Sequence, residues 1–225
     1  TVPNRARSQW GSIDMAAVRV RVWHLPTRLF HWALTLCVIG SIASINIGGN
    51  AVEWHFRFGY AILTLLLFRL LWGFVGPRYA RFASFAPNPL AAWRYLRGRA
   101  AAGLGHNPLG ALSVYALLLS LAVQAGTGLF ASDAIIFDGP LRPLVSGETG
   151  DWLTAVHKVN KIILIVLVVL HLLAIAWYAI VRKQRLVGPM IVGDKLVEDA
   201  RMPAPAAADG ARERHAARHG VHGLD

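Results

Sequence analysis

The sequence predicts an all-α membrane protein, in which four long apolar segments form a bundle of transmembrane helices. Hydrophobic residues make up 55% of the 225 positions and charged residues only 16%, whereas a soluble domain carries about a quarter charged residues. The apolar residues are concentrated in runs of about 20, the length that a helix needs to cross a bilayer. The single cysteine, Cys37, excludes an internal disulfide and any cysteine-rich metal motif.

Four segments satisfy the length and composition required of membrane-spanning helices. The first is free of charge, and the second is interrupted only by Arg57 near its start and Arg69 near its end. The third is expected to begin after Asn107, because Pro108 is tolerated in the first turn of a helix. The predicted spans are 29–52, 54–75, 108–130 and 151–181.

The distribution of charge predicts that both termini are cytoplasmic. Basic clusters precede the first span, separate the second from the third and follow the fourth, whereas the loops on the other face are acidic overall. The positive-inside rule assigns the basic side to the cytoplasm. The net charge of +11 is therefore attributed to membrane topology and not to nucleic-acid binding. The acidic loop residues are Asp133, Asp138, Glu148 and Asp151, with Arg142 among them.

These features divide the chain into three predicted regions. They are a cytoplasmic N-terminal segment (1–25), a four-helix transmembrane domain (26–186) and a disordered cytoplasmic tail (187–225). The tail is expected to be disordered because it becomes rich in Ala, Pro, Gly and charge. The connector 76–107 mixes arginines with aromatic residues, which suits contact with anionic lipid headgroups.

Four histidines lie inside the predicted spans, where ionisable side chains are costly and are functional candidates. His157 and His171 are 14 residues apart, which places them on one face of a helix and about 21 Å apart along its axis. The directions of the spans bring His55 to the level of His157 near the outer side, and His31 to the level of His171 near the inner side. Two stacked imidazole pairs in a four-helix bundle are what two b-type haems require, with all four histidines as iron ligands.

The inner pair fits this depth argument less closely than the outer pair. His31 is three residues past Arg28, whereas His171 is eleven residues before Arg182. The two imidazoles match in depth only if the fourth helix projects well beyond the bilayer or the first helix starts deep.

Arg69 is a further candidate for cofactor binding. It stands in the apolar run LLLFRLLWG, and a guanidinium in such a run needs either an anionic partner or a route to water. A haem propionate would supply the first, and extension of the side chain to the nearby inner interface would supply the second. Both interpretations remain open at the level of sequence.

Several motifs together resemble the bacterial cytochrome b561 and nickel-iron hydrogenase cytochrome b family. They are VWHLPTRLFHW before and within the first span, WHFRFGY, GHNPLGALSVY and VHKVNKIILIVLVVLHLLAIAWY, and the similarity extends over about residues 20–185. The resemblance implies four transmembrane helices and two haem b groups with His31, His55, His157 and His171 as axial ligands. It also implies electron transfer between the quinone pool and a redox partner, and a location in the bacterial inner membrane. The roles of His24 and His106 stay open.

The leading hypothesis is a membrane dihaem cytochrome that carries electrons between a partner at the outer face and quinone. The haems would be noncovalent, because the sequence has no C-x-x-C-H attachment motif. A c-type cytochrome, a hydrogenase or a similar dehydrogenase are the candidate partners, and quinone is a further candidate ligand. Whether the protein is an enzyme depends on whether quinone reacts on this subunit. The alternatives are a metal or proton transporter with a histidine relay, and a membrane anchor without cofactor.

Overall fold

The computed structural model describes residues 17–97 and 107–198, which form two compact units. The smaller one contains β1 (Ala17–Arg21) paired antiparallel with β2 (Asp194–Glu198). Its Arg21 Nε lies 3.1 Å from Asp194 Oδ1. This short two-stranded ribbon was not predicted from the sequence, and the described chain is otherwise mostly helical. The alternation of valine and arginine in β1 suits a strand, because successive side chains of a strand point to opposite faces.

The larger unit, Trp23–Gly193, is helical. Its four longest described helices are each long and apolar enough to cross a membrane. The prediction of four spanning helices is therefore confirmed. In chain order the helices are α1 (Leu25–Ile47), α2 (Val52–Val75), α3 (Pro89–Leu96), α4 (Pro108–Gly128), α5 (Gly147–Ile180) and α6 (Val187–Val192).

The first span begins and ends earlier than the predicted boundaries 29–52. It starts at Leu25 and stops at Ile47, because Gly48 and Gly49 adopt φ values of 74° and 56° that favour glycine. The predicted boundary missed this stop because both glycines lie in an uncharged run. His31 is thus six residues inside α1, and His171 is nine residues before the end of α5. The depth mismatch of the inner pair becomes correspondingly small.

The fourth span begins at Gly147, one turn before the predicted start. The Ser146 side chain caps it by accepting a hydrogen bond from the Thr149 backbone N–H at 3.2 Å. The third span begins at Pro108, as the sequence indicated, and the Asn107 side chain accepts from Gly110 N–H at 2.6 Å.

The segment 187–198, which the sequence assigned to a disordered tail, contains α6 and β2. Its residues are still largely apolar, and the Ala- and Pro-rich composition begins only after them. Arg28 donates to the carbonyl oxygens of Ile191 and Val192, and Trp32 Nε1 donates to Met190 O at 3.2 Å. These bonds attach the end of α6 to α1. The remaining tail, 199–225, lies outside the described residues.

An apolar layer occupies the middle of the four-helix bundle. Ile62, Leu121 and Leu164 are buried together there, and side chains of α1 pack against them. Outward-facing side chains of the same helices are apolar and exposed, such as Leu36 at 68% and Ile162 at 61%. An apolar exterior of this extent is suited to lipid and not to water. Leu164 stands seven residues from both His157 and His171, so this layer separates the two histidine levels.

Candidate functional site

His55 of α2 and His157 of α5 lie side by side between helices. Their ring centres are 6.3 Å apart and the ring planes are nearly perpendicular, at 88°. A metal ion bonded to two opposed imidazole nitrogens at about 2 Å each separates the ring centres by about 6 Å. The spacing of this pair therefore accommodates one metal ion between the two rings.

Backbone carbonyls define the tautomer of both imidazoles. His55 Nδ1 lies 3.0 Å from the carbonyl oxygen of Ser41, and His157 Nδ1 lies 3.0 Å from that of Gln124. Because a carbonyl oxygen only accepts, each Nδ1 carries the proton and donates it. Nε2 is then the unprotonated nitrogen of each ring and the one that can bind a metal; in this structure His157 Nε2 lies 3.0 Å from the side-chain amide nitrogen of Gln124. A histidine that binds metal through one nitrogen usually donates the other N–H to such an acceptor.

The glycines near this pair differ in what surrounds them. A Cβ added to Gly128 would lie 3.0 Å from His157 Cε1, so the absence of a side chain there lets the imidazole approach α4. A Cβ at Gly59, one turn after His55, or at Gly126 would meet no atom within 4 Å. The outer pair thus has open space beside it on α2 and α4, which a planar macrocycle needs.

The second predicted pair, His31 and His171, lies within electrostatic range of each other. His31 Nδ1 is buried and has no hydrogen-bond partner among the described residues. The His31 ring also contacts the indole of Trp32 edge to face, with ring centres 5.1 Å apart. The structure therefore brings the rings of His55 and His157 into contact with defined hydrogen bonds, whereas for His31 and His171 the interaction is electrostatic.

Arg69 is buried, with 5% of its surface exposed. Its guanidinium carbon lies 4.6 Å from the ring centre of Phe82 and 5.8 Å from that of Phe85, both in a 3₁₀ turn after α2. Its Nη1 is buried and lacks a hydrogen-bond partner in the described part of the chain. The snorkelling interpretation required the Arg69 side chain to extend to water, and the buried guanidinium does not do so.

Two contacts between α1 and α2 show the level of Arg69. Trp72 Nε1 donates to Thr27 Oγ1 at 3.2 Å, and the rings of Phe30 and Phe68 are 6.3 Å apart. Since the two helices run in opposite directions, this register places Arg69 near the level of His31. An unpaired cationic N–H group at that level fits an anionic propionate.

Sequence reasoning missed the uncharged polar residues that surround the outer pair. Ser41 contacts His55, and Gln124 and Asn160 lie beside or near His157. The available signal was their position, because Asn160 follows His157 by three residues on the same helix and Gln124 interrupts an apolar span. A search restricted to ionisable groups passes over such residues.

His24 precedes α1, and its carbonyl oxygen accepts from the N–H groups of Thr27 and Arg28 at 3.1 and 3.2 Å. His106 lies outside the described residues, as do His215, His219 and His222.

A bundle of apolar helices with histidine pairs facing each other between helices is the architecture of a membrane protein that holds haem. The chain belongs to the prokaryotic cytochrome b561 family, whose profile matches residues 22–193. It is thus a multi-pass bacterial membrane protein and a b-type cytochrome, which transfers electrons with haem b as its cofactor.

Similar proteins include several described as probable Ni/Fe-hydrogenase B-type cytochrome subunits. The protein of Azotobacter chroococcum mcd 1 is 30% identical over 81% of this chain and 90% of its own length. That of Azotobacter vinelandii is 29% identical over the same shares. The probable Ni/Fe-hydrogenase 1 B-type cytochrome subunit of Escherichia coli (strain K12) is 26% identical over 48% of this chain and 57% of its own.

Proposed function

We propose that the chain holds two haem b groups and carries electrons between a redox partner at the outer face of the membrane and the quinone pool. His55 and His157 would be the axial ligands of the outer haem, and His31 and His171 those of the inner haem. The observation that carries the proposal is the outer pair, with ring centres 6.3 Å apart and both Nδ1 atoms donating to backbone carbonyls.

The inner site is supported by different observations. His31 and His171 lie within electrostatic range, and the two atoms His31 Nδ1 and Arg69 Nη1 are buried without hydrogen-bond partners among the described residues. Unpaired polar atoms in an apolar environment are costly. A haem with two imidazole ligands and a propionate beside Arg69 would satisfy the chemistry of this set.

The chain's own residues have four tasks in this function. The histidines hold the cofactor, and the carbonyl oxygens of Ser41 and Gln124 orient the outer imidazoles and fix their tautomer. Arg69 neutralises a propionate. The layer of Ile62, Leu121 and Leu164 excludes water between the two levels. Bound haem supplies reversible one-electron exchange at its iron.

The orientation and the partner follow from charge and from the relatives. The basic loops predict cytoplasmic termini in the inner membrane. The names of the relatives refer to a Ni/Fe-hydrogenase, so a hydrogenase is the proposed partner, ahead of a c-type cytochrome. If quinone reacts on this subunit, the protein is a quinone-linked oxidoreductase subunit.

A haem count with single-histidine variants tests this proposal. The purified protein is expected to contain two extractable haem b per chain in a pyridine haemochrome assay, with low-spin spectra. His55→Ala and His157→Ala should each remove the outer haem, and His31→Ala and His171→Ala the inner one, leaving one haem per chain. One haem per chain in the unaltered protein would refute the two-site arrangement, and loss of both haems from an inserted His55→Ala variant would refute independent pairs.

Family membership sets aside a membrane anchor without cofactor. A proton or metal relay is also disfavoured by the position of the acidic residues. In the four described spanning helices, carboxylates occur only near the start of α2, at Glu53, and within the first five residues of α5, at Glu148 and Asp151. A relay path would need such groups along the length of the helices.

A further inference from the structure

The short helix α3 is attached to the end of the bundle where α4 begins and α5 ends. Its Ala92 and Tyr95 are buried. The Tyr178 hydroxyl, two residues before the end of α5, donates to the Tyr95 hydroxyl at 2.9 Å. Asn107 Nδ2, directly before α4, donates to the Tyr178 hydroxyl at 2.8 Å. These hydrogen bonds hold α3 at the level where two spanning helices reach the membrane surface.

The opposite face of α3 is exposed and combines apolar with basic side chains. Leu90 is 54% exposed and Trp93 is 46% exposed, and Arg94 and Arg97 are exposed as well. The four positions are three or four residues apart, so they share one side of the helix. The Arg97 guanidinium carbon lies 3.7 Å from the centre of the Trp93 ring. This face of α3 is therefore amphipathic.

The positive charge of this face is not balanced by carboxylates nearby. The connector 76–107 carries five arginines and no aspartate or glutamate. Arg94 and Arg97 form no ion pair with any described residue. Further positive charge lies close by, because Arg182 after α5 is within electrostatic range of Tyr178. An anionic group from outside the chain is the partner that complements this charge.

A phospholipid complements both parts of the face. A guanidinium binds phosphate through two parallel N–H···O hydrogen bonds, and tryptophan favours the headgroup level of a bilayer. A soluble anion would match the arginines but leave Leu90 and Trp93 in water. Helices that combine basic and aromatic residues in this way lie in the plane of a membrane surface and bind anionic lipids.

We propose that α3 lies along the membrane surface and binds anionic phospholipids there. Arg94 and Arg97 bind the headgroup phosphates, and Leu90 and Trp93 insert beside the headgroups. The buried Tyr95 on the other side of the helix keeps this face turned toward the lipid. Anionic lipids are thereby concentrated around the ends of α4 and α5. The inference goes beyond the proposed electron transfer and does not depend on the number of haems.

Photo-crosslinking of defined lipids to the intact holoprotein tests the inference. The protein is reconstituted into phosphatidylcholine vesicles with a trace of phosphatidylglycerol or phosphatidylcholine, each carrying the same diazirine group in its acyl chain. Mass spectrometry of proteolytic peptides gives the crosslinking yield at each segment. The yield ratio of phosphatidylglycerol to phosphatidylcholine should be well above one on α3. It should not exceed one around Trp152, where Glu148 and Asp151 lie.

Two double variants separate local binding from net charge. Arg94→Gln combined with Arg97→Gln should lower the ratio on α3 by about 10- to 30-fold, because each arginine near an anionic surface contributes about fivefold. Arg21→Gln combined with Arg57→Gln is the matched control. It removes the same charge, but both of these arginines already pair with carboxylates, so the ratio on α3 should not change. Unchanged haem spectra show that each variant has inserted.

The unaltered protein provides a test that needs no variant. The ratio on α3 should fall as ionic strength rises, because salt screens charges beyond about 8–10 Å. Four outcomes would overturn the inference. They are equal ratios on α3 and around Trp152, an equal fall in both double variants, a ratio that salt does not change, and loss of the preference in excess soluble glycerol phosphate, which would indicate a site for a soluble anion.

Discussion

At the scale of single residues, the outer pair depends on how closely His157 approaches α4. The ring lies against Gly128 and donates from Nδ1 to the Gln124 carbonyl oxygen at 3.0 Å. A side chain of even one carbon at position 128 therefore competes with the imidazole for space.

Gly128→Ala is expected to displace the His157 ring and weaken the outer site by about 1–3 kcal/mol, as overpacking usually does. The measurement is haem retention at each site during mild heating, with the outer haem lost first. Gly188→Ala is the control, because its Cβ would also meet no atom within 4 Å and Gly188 lies in α6, outside the helices that carry the histidines. Equal retention in the two variants would show that the ring does not need the space at Gly128.

Arg69 is expected to stabilise the reduced form of the inner haem, because a buried cation favours the added negative charge. Arg69→Gln should lower the inner midpoint potential and speed inner haem release by about 10-fold, since hydrogen bonds to charged groups contribute about 1.5–3 kcal/mol. A redox titration followed by optical absorbance measures the midpoint potentials of both haems. Arg57→Gln is the control, because Arg57 is exposed and pairs with Glu53 at 2.6 Å. An unchanged inner potential in Arg69→Gln would contradict the assignment.

At the scale of elements, the turn after α4 is organised around one carboxylate. Asp133 Oδ1 accepts the backbone N–H groups of Ile135, Ile136 and Phe137, each at 2.9 Å. These bonds hold the pKa of Asp133 below its ordinary value, and the bond from the Ile135 N–H has the largest effect. A lowered pKa means that the charged form stabilises the turn above the ordinary pKa of Asp, and that this contribution is lost as the pH falls through the lower pKa of the turn.

Asp133→Ala is expected to loosen the segment 131–141, because three N–H groups lose their acceptor. Amide hydrogen exchange of Ile135, Ile136 and Phe137 should become faster, while exchange in α4 and α5 stays as it is. In the unaltered protein the same amides should remain protected until the pH falls below the ordinary range of an aspartate. Asp138→Asn is the control variant, and equal exchange in both variants would refute the role of Asp133.

The sequence predicts helices and histidine pairs better than it predicts ends and polar contacts. The spans followed from apolar length. The position of His157 and His171 on one face of a single helix followed from their 14-residue spacing. The stop at Gly48 was not predicted because the span was bounded by the absence of charge, although consecutive glycines such as Gly48 and Gly49 are a common signal for the end of a helix. Gln124 and Asn160 were missed because an uncharged amide in a span has many acceptable partners, and only the packing of α4 on α5 selects one.

At the scale of the whole molecule, the acidic loop 131–152 gives one face a charge opposite to that of the basic loops. It carries four acids and one base, for a net charge of −3. Arg142 pairs with Asp151 at 2.9 Å and donates to the carbonyl oxygens of Ser146 and Gly147. The uncompensated charge is therefore that of Asp133, Asp138 and Glu148, which is available to attract a basic partner.

Electron exchange with an outer partner is expected to slow as ionic strength rises, because salt screens such attraction beyond about 8–10 Å. Asp138→Asn combined with Glu148→Gln should flatten this dependence and leave both haem spectra unchanged. Stopped-flow rates of electron transfer at several salt concentrations measure this dependence on ionic strength. Arg185→Gln is a control on the basic side. A rate that does not depend on salt in the unaltered protein would mean that a permanent interface, and not steering, joins the partners.

The seven-residue intervals that separate Leu164 from His157 and His171 have an electrical consequence. An electron passing between the two histidine levels travels about 21 Å along α5, which is about two thirds of a hydrocarbon core of about 30 Å. One charge crossing the full core changes in energy by about 2.3 kcal/mol per 100 mV, so this passage corresponds to about 1.6 kcal/mol per 100 mV. In the proposed two-haem arrangement, the membrane voltage would shift the distribution of the electron between the two levels by more than tenfold per 100 mV. A difference in redox potential between the two haems would then do work against that voltage or be opposed by it.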